Sequence, residues 1–348
     1  MPERDDTTSQ TSSAIGRRRF LAVTGASVAG ITGLAGCLGN DADLVVYSGR
    51  TEDQIEPIFR ELEDRLDITI GDRYGDSAGM VGQIVEEGDA SEADLFYTQD
   101  SGTLGALKNE GRTADLSETV LESVPEAYRD PDGTWTGVSG RTRSIAYNTD
   151  EWDADELPDD IFAYAEEEAF DDELGWRVDS GSFLSFIRAM MIEYGEDDTR
   201  GWIEGLQDLG IENYEGGMTT PQAIADGEVS VGFVNHYYVG RLLEDDEDAP
   251  INVTFTDGDV GALFNVSGVA LVDTADDPDL AREVVEELLV EDVQELFVDL
   301  NAEYPVVDGV EYTGEMPGPE AVNSPTFDLN ELADVEPAQD LLREVEIL

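Results

Sequence analysis

The alternation of short apolar strands with amphipathic helices from Leu44 to Leu107 restricts this chain to an α/β architecture. Leu44 to Tyr47 reads as a strand ending at Ser48-Gly49. Thr51 then starts a helix whose Ile55, Ile58, Phe59, Leu62 and Leu66 recur at helical spacing. Thr51 and Gln54 stand at the spacing of a capping box. Ile68-Thr69-Ile70 returns as a strand, Gly75-Asp76-Ser77-Ala78 turns, and Met80 to Glu87 is helical. Leu95-Phe96-Tyr97 is a third strand, followed by a helix bearing Leu104 and Leu107. Parallel strands need long crossovers and helices supply them, so the expected unit is a lobe with a largely parallel sheet.

Trp135 to Tyr147 breaks that rhythm: it is one extended stretch, long enough to pass from one lobe to another. A second α/β unit follows. Its helix from Phe183 carries Phe186, Ile187, Met190 and Met191, and Thr220-Pro221 reads as a helix cap with proline at the first helical position. Strands are expected at Val229 to Val234 and Gly268 to Val272, and one acidic helix at Pro278 to Leu300. Leu329 to Ile347 closes the chain, partly as helix.

Composition bears on the setting more than on the fold. The chain has 81 acidic residues against 19 basic ones, a formal net charge of -62, spread along its length. Such a surface repels itself at ordinary ionic strength. Near molar salt the screening length falls to about 3 Å, so an extremely halophilic host is expected. The charge excludes nucleic acid as a partner, and 40% hydrophobic residues argue against disorder.

Residues 1–37 read as a targeting segment. Gly16-Arg17-Arg18-Arg19-Phe20-Leu21 leads into an apolar stretch, the pattern of twin-arginine export. Leu34-Ala35-Gly36-Cys37 is similar to a lipoprotein processing box, with Cys37 as the lipid anchor. Cys37 is the single cysteine, so neither an intramolecular disulfide nor a multi-thiolate metal site is available.

Three groups of residues carry candidate chemistry. Asn235-His236-Tyr237-Tyr238 sets two adjacent phenols at the end of a strand. They either pack, as tyrosines do, or converge on a hard metal ion that favours oxygen. Ser180-Gly181-Ser182 directly precedes a helix; it is a plain N-cap or an anion seat at a positive helix end. Arg141 and Arg143 stand out in a chain poor in bases, as anion clamps or as partners of surface carboxylates. Support for an enzyme is thin. Gly75-Asp76-Ser77-Ala78-Gly79 fits G-x-S-x-G, and His236 is the one histidine. Gly71 to Tyr74 separates Ser77 from the expected strand, so an ordinary turn is the reading there.

The ordered set of segments resembles the iron(III)-binding proteins of ABC importers, the ferric-binding protein family. They are Val46-Tyr47-Ser48-Gly49-Arg50, Gly82-Gln83-Ile84 with Glu86-Glu87-Gly88, Ala93-Asp94-Leu95-Phe96-Tyr97, Ser139-Gly140-Arg141-Thr142-Arg143, Ser180-Gly181-Ser182-Phe183, Asn235 to Tyr238, and Ala302-Glu303-Tyr304-Pro305. The resemblance implies a two-lobed α/β periplasmic-binding-protein-like fold with a hinged interlobe cleft. It places lobe 1 at 44–138 plus about 261–315, lobe 2 at 139–260 plus about 316–348, and a tether at 38–43.

By the same resemblance Tyr237 and Tyr238 match the paired iron ligands, and Tyr147 lies near a third tyrosine used in some subgroups. Ser180, Gly181 and Ser182, with Arg141 and Arg143, would hold a synergistic anion such as phosphate or carbonate. Thr51 and Gln99 stand where the best-known subgroup has a histidine and a glutamate. Both are neutral, so the first lobe is expected to add little direct ligation, and His236 falls at a position that is not a usual ligand. The implied function is capture of Fe(III) outside the cell, by a monomer tethered to the membrane, for delivery to a permease with a cytoplasmic ATPase. The rival readings are a receptor of the same fold for thiamine, a polyamine or an organic anion, and a secreted serine hydrolase built on Ser77.

Overall fold

The structure, a computed structural model, describes residues 42–348. The export segment and Cys37 lie outside the described residues. The first lobe opens with β1 (Leu44–Ser48), α1 (Glu52–Leu66), β2 (Ile70–Tyr74), α2 (Ser77–Glu87), β3 (Leu95–Thr98) and α3 (Ser101–Asn109). A two-residue β4 (Thr113–Ala114) and a short α4 (Glu118–Ser123) lead to β5, the long strand Trp135–Asn148. The second lobe holds β6 (Leu174–Trp176), α5 (Gly181–Tyr194), α6 (Glu196–Asp208), β7 (Glu212–Asn213), α7 (Thr219–Ala225), β8 (Val231–Asn235), α8 (His236–Asp245) and β9 (Ile251–Thr254). The chain then returns through β10 (Phe264–Val272), α9 (Pro278–Leu288) and α10 (Glu291–Asn301), and ends with α11 (Glu336–Glu344).

β1 pairs in parallel with β2 and β3, and β6 with β7 and β8. Between these parallel halves run antiparallel strands: β10 joins β3 to β5, and β5 joins β8 and β9. The first half of β5 therefore belongs to one lobe and its second half to the other, as its unbroken extended sequence predicts. All of β5 is buried. Gly140 within it exchanges two backbone hydrogen bonds with Tyr304, of 2.6 and 2.8 Å. A side chain at Gly140 would drive its Cβ to 2.3 Å from the Phe264 ring, so only glycine lets the crossing strands pack this closely.

Several boundaries differ from the sequence expectation. β2 runs over 70–74 rather than 68–70. Asp67 ends α1 in the left-handed conformation, and the N–H of Ile68 turns back to the carbonyl of Glu63, so pairing with β1 begins at Ile70. As an edge strand with every residue half-buried, β2 lacks the apolar run that marks β1 and β3. The acidic helix expected at 278–300 is two helices. The backbone breaks at Val290, and the buried amide of Gln294 takes up the freed carbonyl of Leu288 together with that of Val138. α7 starts at Thr219, which moves Thr220 from cap to second position and Pro221 to third, still within the turn that needs no proline N–H.

The last segment touches both halves. Leu329–Ala333 packs on α3, where Asn330 accepts from the indole of Trp135 at 3.0 Å, whereas α11 packs on α5.

Candidate metal centre

In a parallel α/β sheet the carboxyl ends of the strands open onto the ligand crevice. Here those ends face one cavity of about 510 Å³. Gly49 follows β1, Asp76 and Ser77 follow β2, and Gln99 follows β3. From the second lobe come Arg177 and the Ser180-Gly181-Ser182 turn after β6, and Tyr238 after β8, with Arg141 from the crossing strand.

Tyr237 and Tyr238 occupy the first turn of α8, with ring centroids 4.3 Å apart. Tyr238 is half-buried and faces the cavity; its hydroxyl lies 3.5 Å from a guanidinium nitrogen of Arg177. Gly217 makes room for it, since a Cβ there would sit 2.2 Å from the ring. Tyr237 is buried, and burial, then the neighbouring Tyr238, pushes its hydroxyl well above the usual phenol range, with Arg141 working the other way. The Tyr237 phenol is thus held protonated by its surroundings. A bound cation of high charge would reverse that balance.

The turn expected to seat an anion lies at the start of α5. Ser180 is the N-cap of α5, its hydroxyl accepting from the N–H of Phe183 at 3.2 Å. Ser182 accepts from the Asn235 amide at 3.3 Å. Arg141, 4% exposed, reaches Ser267 at 3.3 Å. Among the described residues neither Arg141 nor Arg143 forms an ion pair. Arg143 is not on the cavity wall. It lies behind it, stacked over Phe186 at 4.9 Å, with its Nε and one terminal nitrogen unpartnered among the described residues. Burial pulls it down to about 10. Thr220 beside it also has an unpartnered hydroxyl. Buried donors are nearly always satisfied, so this group lacks an acceptor that the protein itself does not provide.

Beneath the cleft lies a polar layer whose Arg50, Ser139 and Glu303 carried the family resemblance in the sequence but were given no role there. Arg50 and Glu303 form a buried ion pair of 2.8 Å, and Ser139 donates to the same carboxylate oxygen at 2.8 Å. Ser267 accepts from both Arg50 and Arg141, at a bulge in β10 that re-aims its side chain. Burial opposes the Arg50 charge, but Glu303 together with Tyr97 and Tyr237 turns the net shift upward.

Residues 90–329 match the family model described as bacterial extracellular solute-binding protein. The chain belongs to this family. It is 29% identical over 286 residues to iron uptake protein A1 of Synechocystis, covering 78% of each chain. It is 25% identical over 311 residues to the major ferric iron-binding protein of Neisseria meningitidis, covering 87% of this chain and 92% of the relative. Iron-bound HitA from Pseudomonas aeruginosa superposes with a TM-score of 0.81 at 27% identity, over 87% of this chain and 98% of that one. Apo ferric ion-binding protein A from Pasteurella haemolytica gives 0.78 at 26%, over 87% and 98%.

This solute-binding protein is not an enzyme, and Ser77 shows why the hydrolase reading fails on different grounds from those expected. Because β2 reaches Tyr74, the serine does stand just past a strand. Its hydroxyl, however, accepts from Thr98 at 2.9 Å and points to the Gly49 carbonyl, so it pins the start of α2. His236 is buried elsewhere, stacked 3.9 Å over Tyr304, accepting from the Thr142 N–H, and pulled down by burial to about 3.

Two further expectations do not survive. Tyr147 sits beyond Arg143 on the same strand, paired with Val231 and Asn252. Four residues of strand place it about 13 Å from the cleft end, so it is a packed sheet tyrosine. Thr51 is exposed and off the cavity wall. Its hydroxyl does not cap α1 but donates to Oε1 of Gln54 at 3.1 Å. Gln99 does line the cavity, yet its amide donates to that same Oε1 at 3.2 Å. Arg177 was missed. The scarcity of bases that singled out Arg141 and Arg143 applies equally to it.

Proposed function

We propose that this protein is the extracytoplasmic solute-binding component of an ABC importer for ferric iron. Tyr237 and Tyr238 supply phenolate ligands, and a co-bound oxyanion seats on Ser180, Gly181 and Ser182 with Arg141. Phosphate and carbonate are the smallest candidates. Arg143 backs the anion from behind the wall and Arg177 from its rim. The division into lobes at 44–138 plus about 261–315 and at 139–260 plus about 316–348 makes β5 and the return into β10 the hinge. Cys37 tethers the exported chain to the membrane, and a permease with its cytoplasmic ATPase receives the ion. Transport needs closure that is favourable with ligand and reversible at the permease.

The observation that carries this reading is the pair of adjacent phenols at the start of α8, with Tyr238 on the cavity wall beside Arg177 and Arg141, the latter without an ion pair among the described residues. Phenolate is the strongest oxygen donor there for a hard trivalent cation, and the arginines favour the ionised form. Relatives whose names record iron uptake and ferric iron binding cover most of the chain and support it. The experiment is to load the leaderless protein with Fe(III) in molar salt, with and without phosphate or carbonate. A visible tyrosinate-to-iron charge-transfer band is expected, lost when both tyrosines become phenylalanine. No band and no stoichiometric iron would sink the reading.

A further inference from the structure

We propose that Asp76 is the first-lobe ligand of the captured ferric ion. The inference rests on the iron reading above and supplies what that reading lacks, a donor that ties closure to occupancy. Neither expected position can serve as it stands. Thr51 is off the wall, and the Gln99 side chain is neutral with its amide turned to Gln54. Three carboxylates line the cavity. Asp179 is ion-paired to Arg177, and Asp100 spends both oxygens on Thr103, one on its N–H at 3.0 Å and one on its hydroxyl at 3.3 Å.

Asp76 differs. One oxygen caps α2, accepting from the N–H of Gly79 at 2.8 Å; the other accepts nothing among the described residues, and the side chain is exposed at the cavity. Gly79 keeps that second oxygen unobstructed, because a Cβ there would come within 2.5 Å of it.

The carboxylate is also held in place. Ser77 ties the first turn of α2 to the ends of β1 and β3 through Gly49 and Thr98, and the N–H of Gly75 bonds the Ser48 carbonyl at 3.0 Å. A hard trivalent cation favours such an anionic oxygen over an amide. Two phenolates from one lobe and one carboxylate from the other leave the remaining positions to the anion or water. The Gly75-Asp76-Ser77-Ala78-Gly79 turn thereby acquires a role in binding rather than in hydrolysis.

Asp76→Asn tests this cleanly, since asparagine caps a helix as well as aspartate and the fold is kept. Iron supplied as its nitrilotriacetate complex is loaded, then withdrawn by citrate while small-angle scattering follows closure. The variant should retain the charge-transfer band, release iron to at least about tenfold less citrate, and lose the iron-dependent compaction; Asp76→Glu should recover part of both. If Asp76→Asn holds iron and closes like the parent, the proposal fails and the iron reading stands. If the parent itself shows no band, both fall.

Discussion

The two walls of the cleft are built from the same parts, strand ends and helix N-termini, but they are finished in opposite ways. On the first lobe the helix ends of α2 and α3 are capped by carboxylates, Asp76 and Asp100, and the amides of Gln54 and Gln99 satisfy one another. On the second lobe α5 is capped by a neutral serine, and Asn235 makes no side-chain cap on α8. Three arginines crowd behind those ends, and one of them has unpartnered nitrogens. A helix N-terminus already neutralised by its own cap has little left for an anion, whereas an uncompensated one does. On the iron reading proposed above, the second lobe is the wall that receives the ligand and the first is the lid that closes on it.

The contrast can be broken most directly at the phenols. Tyr238→Phe removes the oxygen facing the cavity and should weaken iron retention about a thousandfold, ~4 kcal/mol, as read by citrate competition. Arg143→Met comes next. Iron retention in phosphate should fall about tenfold, ~1.4 kcal/mol. The empty protein should become more stable by about 1–3 kcal/mol in a urea titration, because an unpaired buried charge is exchanged for an apolar chain. Loss of apoprotein stability would show that the guanidinium has a partner within the fold.

Smaller effects test the lid. Gln99→Glu adds a carboxylate to the first wall and should tighten iron about fivefold, ~1 kcal/mol, and more so without added anion. Thr51→Ala should change retention less than about twofold and stability within about 0.5 kcal/mol, as for a surface substitution. Lys108→Met should leave both walls untouched.

Lys108 instead bears on acid stability. It reaches Asp130 at 2.6 Å, and although burial pushes that carboxyl up, hydrogen bonds from Lys108 and Thr134 hold it below the usual carboxylate range. A depressed carboxyl adds stability above its unfolded value, near 3.9, that is lost as pH falls toward the folded one. The variant should thus lose stability at neutral pH by about 2 kcal/mol and show a flatter acid limb, with an unchanged iron titration.

Much of the molecule is legible without its tertiary structure. Apolar patterning marks β1, α1, β3 and α3 because the two strands are buried on both faces and the helices on one, and the unbroken run at 135–147 announces the crossing strand. β2 and the break at Val290 are not legible in that way. An edge strand carries no buried face, and the break is stabilised by Gln294, which links the freed Leu288 carbonyl to that of Val138 on the strand it packs on.

The pairing of Tyr237 with Tyr238 and the serine turn before α5 were set by local sequence, since a helix N-terminus is a local event. Which of their neighbours share the ligand was decided only in three dimensions. Arg141, Arg143 and Tyr147 stand two and four residues apart, at alternate positions of β5 that share one face. Arg141 pairs with Asn265 in one lobe's sheet and Arg143 with Asn235 in the other, while Tyr147 continues away from the cleft. Strand periodicity states a face, not how far along it a cleft opens. Asp76 and Arg177 reach that cleft through a different route, each fixed by where its own strand ends. The positions of those ends are set by pairing with other strands of the same sheet, β2 against β1 and β6 against β7 and β8, and that register is a tertiary contact that residue pattern alone does not fix.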